Sequence, residues 1–325
     1  MKYSFSEINS VVRETGFNAA VIEKALQLLN LLNMLNSHPY LKKKLALKGG
    51  TALNLFILDM PRLSVDIDLN YIGALDLEEM TADRPKVEQA MQAVFEREGF
   101  AVKRVPGDHA GGKWRLAYPG HKGDIGNLEV DVNFMFRQPL WEMERMTSHK
   151  LGEFQAKNIP VVNLHELYAG KLAALFSRQQ ARDLFDAQQM LNLPGRIDVE
   201  DLRLAFVVYG AMNSKDWRML SLEDISFNAN DLKQKLFPVL KSQGPHASES
   251  ALRFGEDLVN ECRRKLSVVY PLANSEMRFL DAILDKGEIK PELLTDKKLL
   301  QERIAGHPML NWKALNVRKR LGKSG

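Results

Sequence analysis

Two aspartates stand two residues apart in a strand-like segment, residues 64–69, and their spacing indicates metal chemistry. A period of two residues places Asp66 and Asp68 on the same face of a strand. Carboxylate oxygens that leave room for a phosphate are the ligands that Mg²⁺ prefers. The pair therefore predicts a divalent-metal site that acts on a phosphorylated substrate.

A glycine turn precedes this strand and supplies a second element of the same chemistry. A short apolar strand, predicted for residues 45–47, leads into Gly49 and Gly50, and Thr51 then opens a helical run. A glycine-rich turn at the start of a helix presents free backbone N–H groups to a phosphate. One stretch of the chain thus predicts both halves of a metal–nucleotide site.

A third acid lies on a later strand, predicted for residues 128–135. Apolar and polar residues alternate there, so that Asp131 shares the polar face with Glu129 and Asn133. A charge in mid-strand is unfavourable unless it is paired or binds a metal. Together with the earlier pair of aspartates, Asp131 is predicted to be a metal ligand.

A single helix predicted for residues 165–191 carries a third group of charged residues. At about 100° per residue, one face of this helix holds Lys171, Arg178, Arg182 and Asp186, with Asp183 at its edge. One interpretation is a salt-bridged face with an i,i+4 pair between Arg182 and Asp186. The other places Lys171 on a triphosphate, with the remaining charged side chains bracing it or touching the nucleotide.

The amino-acid composition limits the possible partners and cellular compartment of the protein. The 325 residues are 45% hydrophobic and 26% charged, with a formal net charge of +4, which permits a nucleic-acid partner without requiring one. The single cysteine, Cys262, excludes an intrachain disulfide and fits a reducing compartment. The chain starts without a signal-peptide pattern and has no apolar run near the roughly 20 residues that span a bilayer. We predict a cytoplasmic protein without membrane segments.

The pattern of elements predicts two domains, residues 1–162 and 163–325. Helices are expected in the first at 6–36 and 76–99, and further strands at 100–105, 113–118 and 154–162. Asn163 and Glu166 are predicted to form a capping box where the second domain starts. After this start the second domain is helical in pattern, at 198–212, 232–240, 251–269 and 275–284, and it ends in a basic tail.

Three motifs together resemble those of the AbiEii-type nucleotidyltransferase toxins, a branch of the DNA polymerase β-like nucleotidyltransferase superfamily. They are KGGTAL at 48–53, RLSVDIDL at 62–69 and K-x6-R-x3-RDxxD at 171–186. The resemblance covers about the first 190 residues, and Thr51 stands where the superfamily usually has serine. It implies an α+β fold: a polymerase β-like domain with a mixed sheet flanked by helices, then a mostly helical C-terminal domain whose first helix, 163–191, completes the active site.

The resemblance also assigns roles to individual residues. Asp66, Asp68 and Asp131 would hold two Mg²⁺ ions, with Mn²⁺ as an alternative, and an NMP would pass from an NTP to a hydroxyl group. Lys171 would neutralise phosphate charge as part of the catalytic set. The other nucleotide-binding residues would be Lys48, Gly49, Gly50, Thr51, Arg62, Ser64, Arg178, Arg182, Asp183 and Asp186. Ser64 matches a position that is phosphorylated in some relatives, although it can equally be an ordinary strand residue.

The resemblance implies a biological role as well. Related toxins modify the 3′ end of tRNA and are encoded beside an antitoxin, often a winged-helix, AbiEi-like regulator, in abortive-infection systems that defend against phage. Two alternatives stay open: a transferase that acts on a protein or small-molecule hydroxyl, and a non-catalytic nucleotide-binding module. A basic groove beside Asp131, built from Lys42 to Lys44 and the C-terminal tail, would favour RNA, whereas a closed acidic pocket would favour a small molecule.

Overall fold

The computed structural model describes residues 3–105, 107, 111–193, 195, 197–244, 247 and 250–322. The chain folds into two compact units. Unit 1 comprises Met1–Arg137, Met143–Val162 and Lys233–Glu249, and unit 2 comprises Gln138–Glu142, Asn163–Leu232 and Ser250–Gly325. The segment from 233 to 249 therefore belongs with the N-terminal unit, although the sequence pattern placed it in the helical region.

Unit 1 is built on a mixed sheet of seven strands in the order β3-β4-β5-β2-β1-β7-β6. In chain order the strands are β1 (Leu45–Lys48), β2 (Asp66–Tyr71), β3 (Ala101–Arg104), β4 (Gly111–Pro119), β5 (Ile125–Asn133), β6 (Glu144–Met146) and β7 (Ile159–Val161). β2 runs antiparallel to β1 and parallel to β5, and β4 runs antiparallel to both β3 and β5. This arrangement confirms the predicted mixed sheet.

One face of this sheet is buried against helices, among them the helix that carries Phe95. Unit 1 contains α1 (Phe5–Thr15), α2 (Ala19–Ser37), α3 (Gly49–Ala52, continued by a π turn over Leu53–Ile57) and α4 (Leu77–Arg97). Phe95 of α4 packs edge-on against Trp114 of β4, with ring centroids 5.9 Å apart, and both side chains are buried. The three predicted acids lie on the opposite face, since they alternate with the buried residues of their strands.

Two of the predictions for unit 1 are wrong in extent. The single helix expected at 6–36 is divided into α1 and α2, because Gly16 adopts a left-handed conformation (φ 77°) and ends α1. The side chain of Asn18 then accepts the N–H of Ala20 and starts α2. The strand expected at 154–162 is limited to β7, and β6 was not foreseen.

Unit 2 is helical. Its helices are α5 (Leu164–Arg178), α6 (Ala181–Leu191), α7 (Val199–Ala211), α8 (Ala229–Asp231), α9 (Ala251–Lys265), α10 (Asn274–Lys286), α11 (Lys298–Gly306) and α12 (Pro308–Arg320). The aromatic rings of Phe176, Phe206 and Trp217 meet at its core, with centroids 5.1 to 5.9 Å apart. Most of the basic C-terminal tail is part of α12. No helix within the described ranges is long and apolar enough to cross a membrane.

The single helix predicted for residues 165–191 is also wrong. Gln179 is left-handed (φ 49°) and ends α5, and α6 begins two residues later. A helical wheel drawn from Lys171 is therefore valid only as far as Arg178. It does not establish that Arg182 and Asp186 share a face with Lys171.

The predicted capping box at the start of α5 is half right. Asn163 does cap the helix, since its side chain accepts the N–H of His165. Glu166 instead accepts the N–H groups of Leu140 and Trp141, at 3.0 and 3.3 Å, and the Tyr209 hydroxyl, at 3.1 Å. Burial raises the pKa of Glu166 to about 7. The glutamate thus fixes residues 138–142 within unit 2.

Replacing Glu166 by glutamine is expected to remove a pH dependence of stability. The pKa of Glu166 rises from 4.5 to about 7 on folding, so between these values the folded chain holds a proton that the unfolded chain has lost. The free energy of unfolding should therefore fall as the pH rises through this window, by up to about 3 kcal/mol. Glutamine mimics the protonated acid, so urea unfolding between pH 4.5 and 8 should show a flatter slope for Glu166→Gln.

The exposed control Glu302→Gln should keep the slope of the wild type. A slope that Glu166→Gln leaves unchanged would show that this carboxyl does not titrate in the window.

Candidate active site

The register of the sheet brings the three predicted acids to one face. Asp68 on β2 is the direct cross-strand partner of Asp131 on β5, and Asp66 lies two residues earlier on the same face of β2. All three are partly exposed. Burial raises the pKa of Asp131, and the negative charge of Asp68 raises it further. The acids that the sequence placed on separate strands therefore interact.

Two lysines flank the acid pair in the same cross-strand row. Lys48 on β1 is the partner of Asp68, and Lys113 on β4 is the partner of Asp131. Directly opposed residues share a face, so the row reads cation, acid, acid, cation across four strands. Lys113 and Lys48 both oppose the rise in the pKa of Asp131. The two inner carboxylates thus lie between fixed positive charges.

The next row of the same face holds residues that sequence reasoning missed as site residues. Asp66 on β2 is opposite Glu129 on β5, which is opposite Arg115 on β4. The Glu129 carboxylate accepts from Lys113 at 2.9 Å and from Arg115 at 3.1 Å. The alternation of β4 was visible in the sequence, but its pairing with β5 was needed to place these side chains beside the acids.

Gly49 is required by the position of Asp68. Its φ of 72° is in the left-handed region, and a Cβ at this residue would overlap the carboxylate of Asp68. The start of α3 and the second acid of the pair are therefore in contact. This close approach gives a structural reason for the first glycine of the Gly-Gly turn.

The hydroxyl of Thr51 holds the strand that carries the acids. Thr51 is fully buried and donates to the main-chain carbonyl of Asp66, and its oxygen lies 2.9 Å from that of Ser64. A phosphate contact through Thr51 stays a prediction, and it would fall to the main-chain N–H, which is among the free N–H groups of a helix start. The regulatory role of Ser64 also stays a prediction, and its side chain is buried.

Lys48 and Arg62, the remaining predicted residues of unit 1, differ in exposure. The Lys48 ammonium lies 5.3 Å from the ring centroid of Phe136 and is partly exposed. Arg62 is only 2% exposed, and its guanidinium donates to the carbonyl of Leu63 at 3.1 Å. The nucleotide contact expected of Arg62 stays a prediction and would require a change in this burial.

The predicted charged residues of unit 2 form a salt-bridged cluster. The Lys171 ammonium lies 2.7 Å from Asp186 and 3.4 Å from Asp183, and Arg178 donates to Asp183 at 2.8 Å. Lys171 is 8% exposed and Asp186 fully buried, whereas the Arg178 side chain is 56% exposed. Arg182 is partly exposed on α6. The contact of Lys171 with a triphosphate stays a prediction.

The lysines before β1, which were considered as part of a basic groove beside Asp131, do not lie in the row of acids. Lys42 to Lys44 come before β1, whereas Lys48 at the other end of that strand pairs with the acids. Lys44 is bound to Asp83 at 2.6 Å. Among the described residues of unit 1, Lys48 and Lys113 are the cations in the same cross-strand row as Asp68 and Asp131.

The donor set suits a hard divalent cation that arrives with its substrate. In the described parts of the chain, no group of three or more histidine, cysteine or acidic side chains is arranged to hold a metal by itself. Mg²⁺ is usually bound by one or two carboxylates together with water and substrate phosphates, rather than by a cage of protein ligands. Adjacent, partly exposed carboxylates at Asp68 and Asp131 fit that mode of binding.

Comparison with known proteins decides the family. The sequence profile described as nucleotidyl transferase AbiEii toxin of type IV toxin–antitoxin systems matches residues 30–261. The chain belongs to this family. The matched region includes all three acids and the charged cluster of unit 2, and this AbiEii protein is therefore a nucleotidyltransferase toxin, as the motifs indicated.

A solved structure supports the fold of this AbiEii protein. The chain is similar to the structure of MenT4, a nucleotidyltransferase toxin of Mycobacterium tuberculosis H37Rv, with a TM-score of 0.61 and 19% sequence identity. The match covers 92% of this chain and 98% of MenT4. At this identity the likeness concerns the fold. No curated protein matches the chain significantly.

Substitution of Gly49 by alanine is expected to destabilise unit 1 more than the same change at Gly16. Both glycines are left-handed, with φ of 72° and 77°, so each alanine is strained by about 1–2 kcal/mol. Only at Gly49 would the new Cβ overlap Asp68, since Gly16 has nothing within 4 Å of that position. Urea unfolding should therefore show the larger loss for Gly49→Ala, which should also lose transferase activity. Equal effects of the two changes would contradict the close approach.

In the charged cluster of unit 2, the stability effects of removing a buried and an exposed cation can be compared. Lys171→Ala removes a buried ammonium that lies 2.7 Å from the buried carboxylate of Asp186 and 3.4 Å from Asp183, a change that costs about 3 kcal/mol or more. Arg178→Ala removes a largely exposed partner and should cost about 1 kcal/mol or less. Adding Asp186→Asn to Lys171→Ala should restore part of the loss in chemical unfolding. Equal destabilisation by the two single changes would rule out the buried ion pair as a stabilising contact.

Proposed function

We propose that this AbiEii protein transfers an NMP from an NTP to the 3′-terminal hydroxyl of tRNA and releases pyrophosphate, in a reaction that depends on Mg²⁺. The observation that carries the proposal is the register of β2 and β5, which places Asp68 beside Asp131 and Asp66 on the same face. The contact between Gly49 and Asp68 brings the phosphate-binding turn to these acids.

The acids and the turn have complementary tasks in this reaction. Asp66 and Asp68 would hold Mg²⁺, with Asp131 completing the ligand set; Mn²⁺ has the same preference for oxygen. When bound, such ions would supply charge stabilisation for the entering and leaving oxygens of an in-line displacement. Backbone N–H groups at Gly49 and Gly50 would bind the phosphates.

Asp131 is the residue best suited to take the proton from the attacking hydroxyl. It lies opposite Asp68 and is partly exposed, so a hydroxyl bound at the acids could reach its carboxylate. Its neighbour Lys113 stabilises the ionised form.

The remaining motif residues are assigned to the nucleotide. Lys171 would neutralise phosphate charge, and Lys48, Arg62, Arg178, Arg182, Asp183 and Asp186 would bind or brace the triphosphate. These assignments rest on the family motifs.

The tRNA acceptor is supported by the family to which the chain belongs and by the cations around the acids. A toxin of a type IV system acts together with an antitoxin, and we propose one of the winged-helix, AbiEi-like class. The cytoplasm, which holds both NTPs and tRNA, is the compartment in which this activity would stop translation during phage infection.

The experiment incubates the full chain with total tRNA, Mg²⁺ and each α-labelled NTP in turn. Wild type is compared with Asp66→Asn and with Asp59→Asn, a control in which an exposed aspartate is neutralised. We expect label in tRNA with wild type and the control, and a loss of at least 100-fold with Asp66→Asn, because the metal would lose a ligand. Chelation by EDTA should abolish transfer in all three.

Other outcomes separate the alternatives. Asp66-dependent label on a protein or a small molecule, with none in tRNA, would keep the chemistry and overturn the acceptor. Nucleotide binding without any Asp66-dependent label would overturn the transferase proposal in favour of a binding module.

A further inference from the structure

Three basic side chains extend from the acids toward the β3 edge of the sheet. Lys113 and Arg115 lie on β4, and Arg104 on β3 is the cross-strand partner of Arg115. We call these three residues the β4 basic strip. The side chains of Lys113 and Arg115 are 45% and 56% exposed, and Arg104 is exposed as well.

A contribution to the stability of the fold does not explain why these three basic residues lie together. Directly opposed like charges on neighbouring strands are destabilising, and Arg104 and Arg115 are such a pair. Arg104 makes no ion pair with any residue that the structure describes, and a single carboxylate, Glu129, serves both Lys113 and Arg115. Lys113 is also attracted by Asp131 and Asp66, but Arg115 and Arg104 lie opposite each other farther out, which leaves positive charge there that a polyanion would neutralise.

The order of the strands gives the strip a position in the proposed reaction. β1 ends at the Gly49–Gly50 turn, the acids follow on β2 and β5, and the strip begins on β4. In an in-line displacement the attacking and leaving oxygens lie on opposite sides of the phosphorus. If pyrophosphate leaves over the turn, the acceptor hydroxyl approaches from the side of β4.

Spacing agrees with this direction. Lys113 is one strand beyond Asp131, and Arg104 is one strand farther out than Arg115. Each of these steps across the sheet is about 4.8 Å. Side chains at these positions can reach the phosphates just before a terminal hydroxyl that is bound at the acids. A small-molecule acceptor without phosphates would have no use for them.

We propose that the β4 basic strip binds the phosphodiester backbone of a polynucleotide acceptor and so positions its terminal hydroxyl at Asp131. This inference rests on the proposed function and adds the side from which the acceptor enters and the residues that bind it. Such contacts are electrostatic, so they should contribute to the salt dependence of RNA affinity without favouring a particular sequence.

The test measures binding separately from chemistry. All variants carry Asp66→Asn, and the anisotropy of a fluorescently labelled tRNA pool is followed at several salt concentrations. Lys113→Gln/Arg115→Gln is compared with Lys86→Gln/Lys122→Gln, which removes two exposed lysines from α4 and from the turn between β4 and β5. We expect the strip variant to bind tRNA at least about tenfold more weakly, with the slope of log K against log salt reduced by about 1.4–1.8. The control should match its parent.

A second variant distinguishes a specific loss of RNA binding from a loss caused by misfolding. Because Arg104 makes no ion pair within the described residues and is opposite Arg115, Arg104→Gln should not lower the Tm, and it should weaken tRNA binding about threefold, with a slope smaller by about 1. In chains with intact Asp66, Arg104→Gln should raise the KM for tRNA and leave the KM for NTP unchanged.

The outcomes distinguish this inference from the proposed function. Equal binding by the strip and control variants overturns the inference, even where Asp66-dependent transfer to tRNA is observed. Transfer to a protein or small molecule, together with no tRNA binding by the parent chain, also overturns it but leaves the chemistry in place. Strip-dependent tRNA binding supports it, even where no NTP gives labelled tRNA and the transferase proposal fails.

Discussion

The structure depends on holding like-charged carboxylates on adjacent strands. Asp68 and Asp131 would move apart if their side chains alone set their positions, because the negative charge of Asp68 disfavours the ionised form of Asp131. The backbone hydrogen bonds between β2 and β5 fix the register and prevent this. Lys48 and Lys113, one strand out on each side, reduce the repulsion. The two carboxylates are thus held close together, and a bound divalent cation would reduce the repulsion between them.

The opposite face of the same sheet offsets this repulsion. There the strands present apolar side chains to the helices of unit 1, and Trp114, which follows the exposed Lys113, is buried against Phe95. Alternation along a strand allows one residue to serve the core and the next to serve the site. Burial of an aromatic side chain stabilises by a few kcal/mol, which is comparable to the cost of the unfavourable charges on the other face.

Local signals were sufficient for the parts of the site that lie close together in sequence. The Gly-Gly turn, the aspartate pair and the alternation around Asp131 were all predicted correctly, because each depends on a few consecutive residues. The breaks at Gly16 and Gln179 were missed, since apolar periodicity continues across them while a single left-handed residue ends the helix. The placement of Lys113 could not be predicted either, because it depends on strand register.

The third acid and two residues of the β4 basic strip, Lys113 and Arg115, lie on one hairpin. β4 and β5 are antiparallel and joined by a short turn over residues 120–124, so the register that sets Lys113 opposite Asp131 also sets Arg115 opposite Glu129. Parallel pairing of β5 with β2 then carries this hairpin to the aspartate pair as a unit. A one-residue shift of β5 against β2 would move the third acid and its cations to the buried face together, whereas the same shift of β4 against β5 would move only the cations. The proposed direction of acceptor entry and the completion of the acid cluster therefore depend on the same two strand pairings.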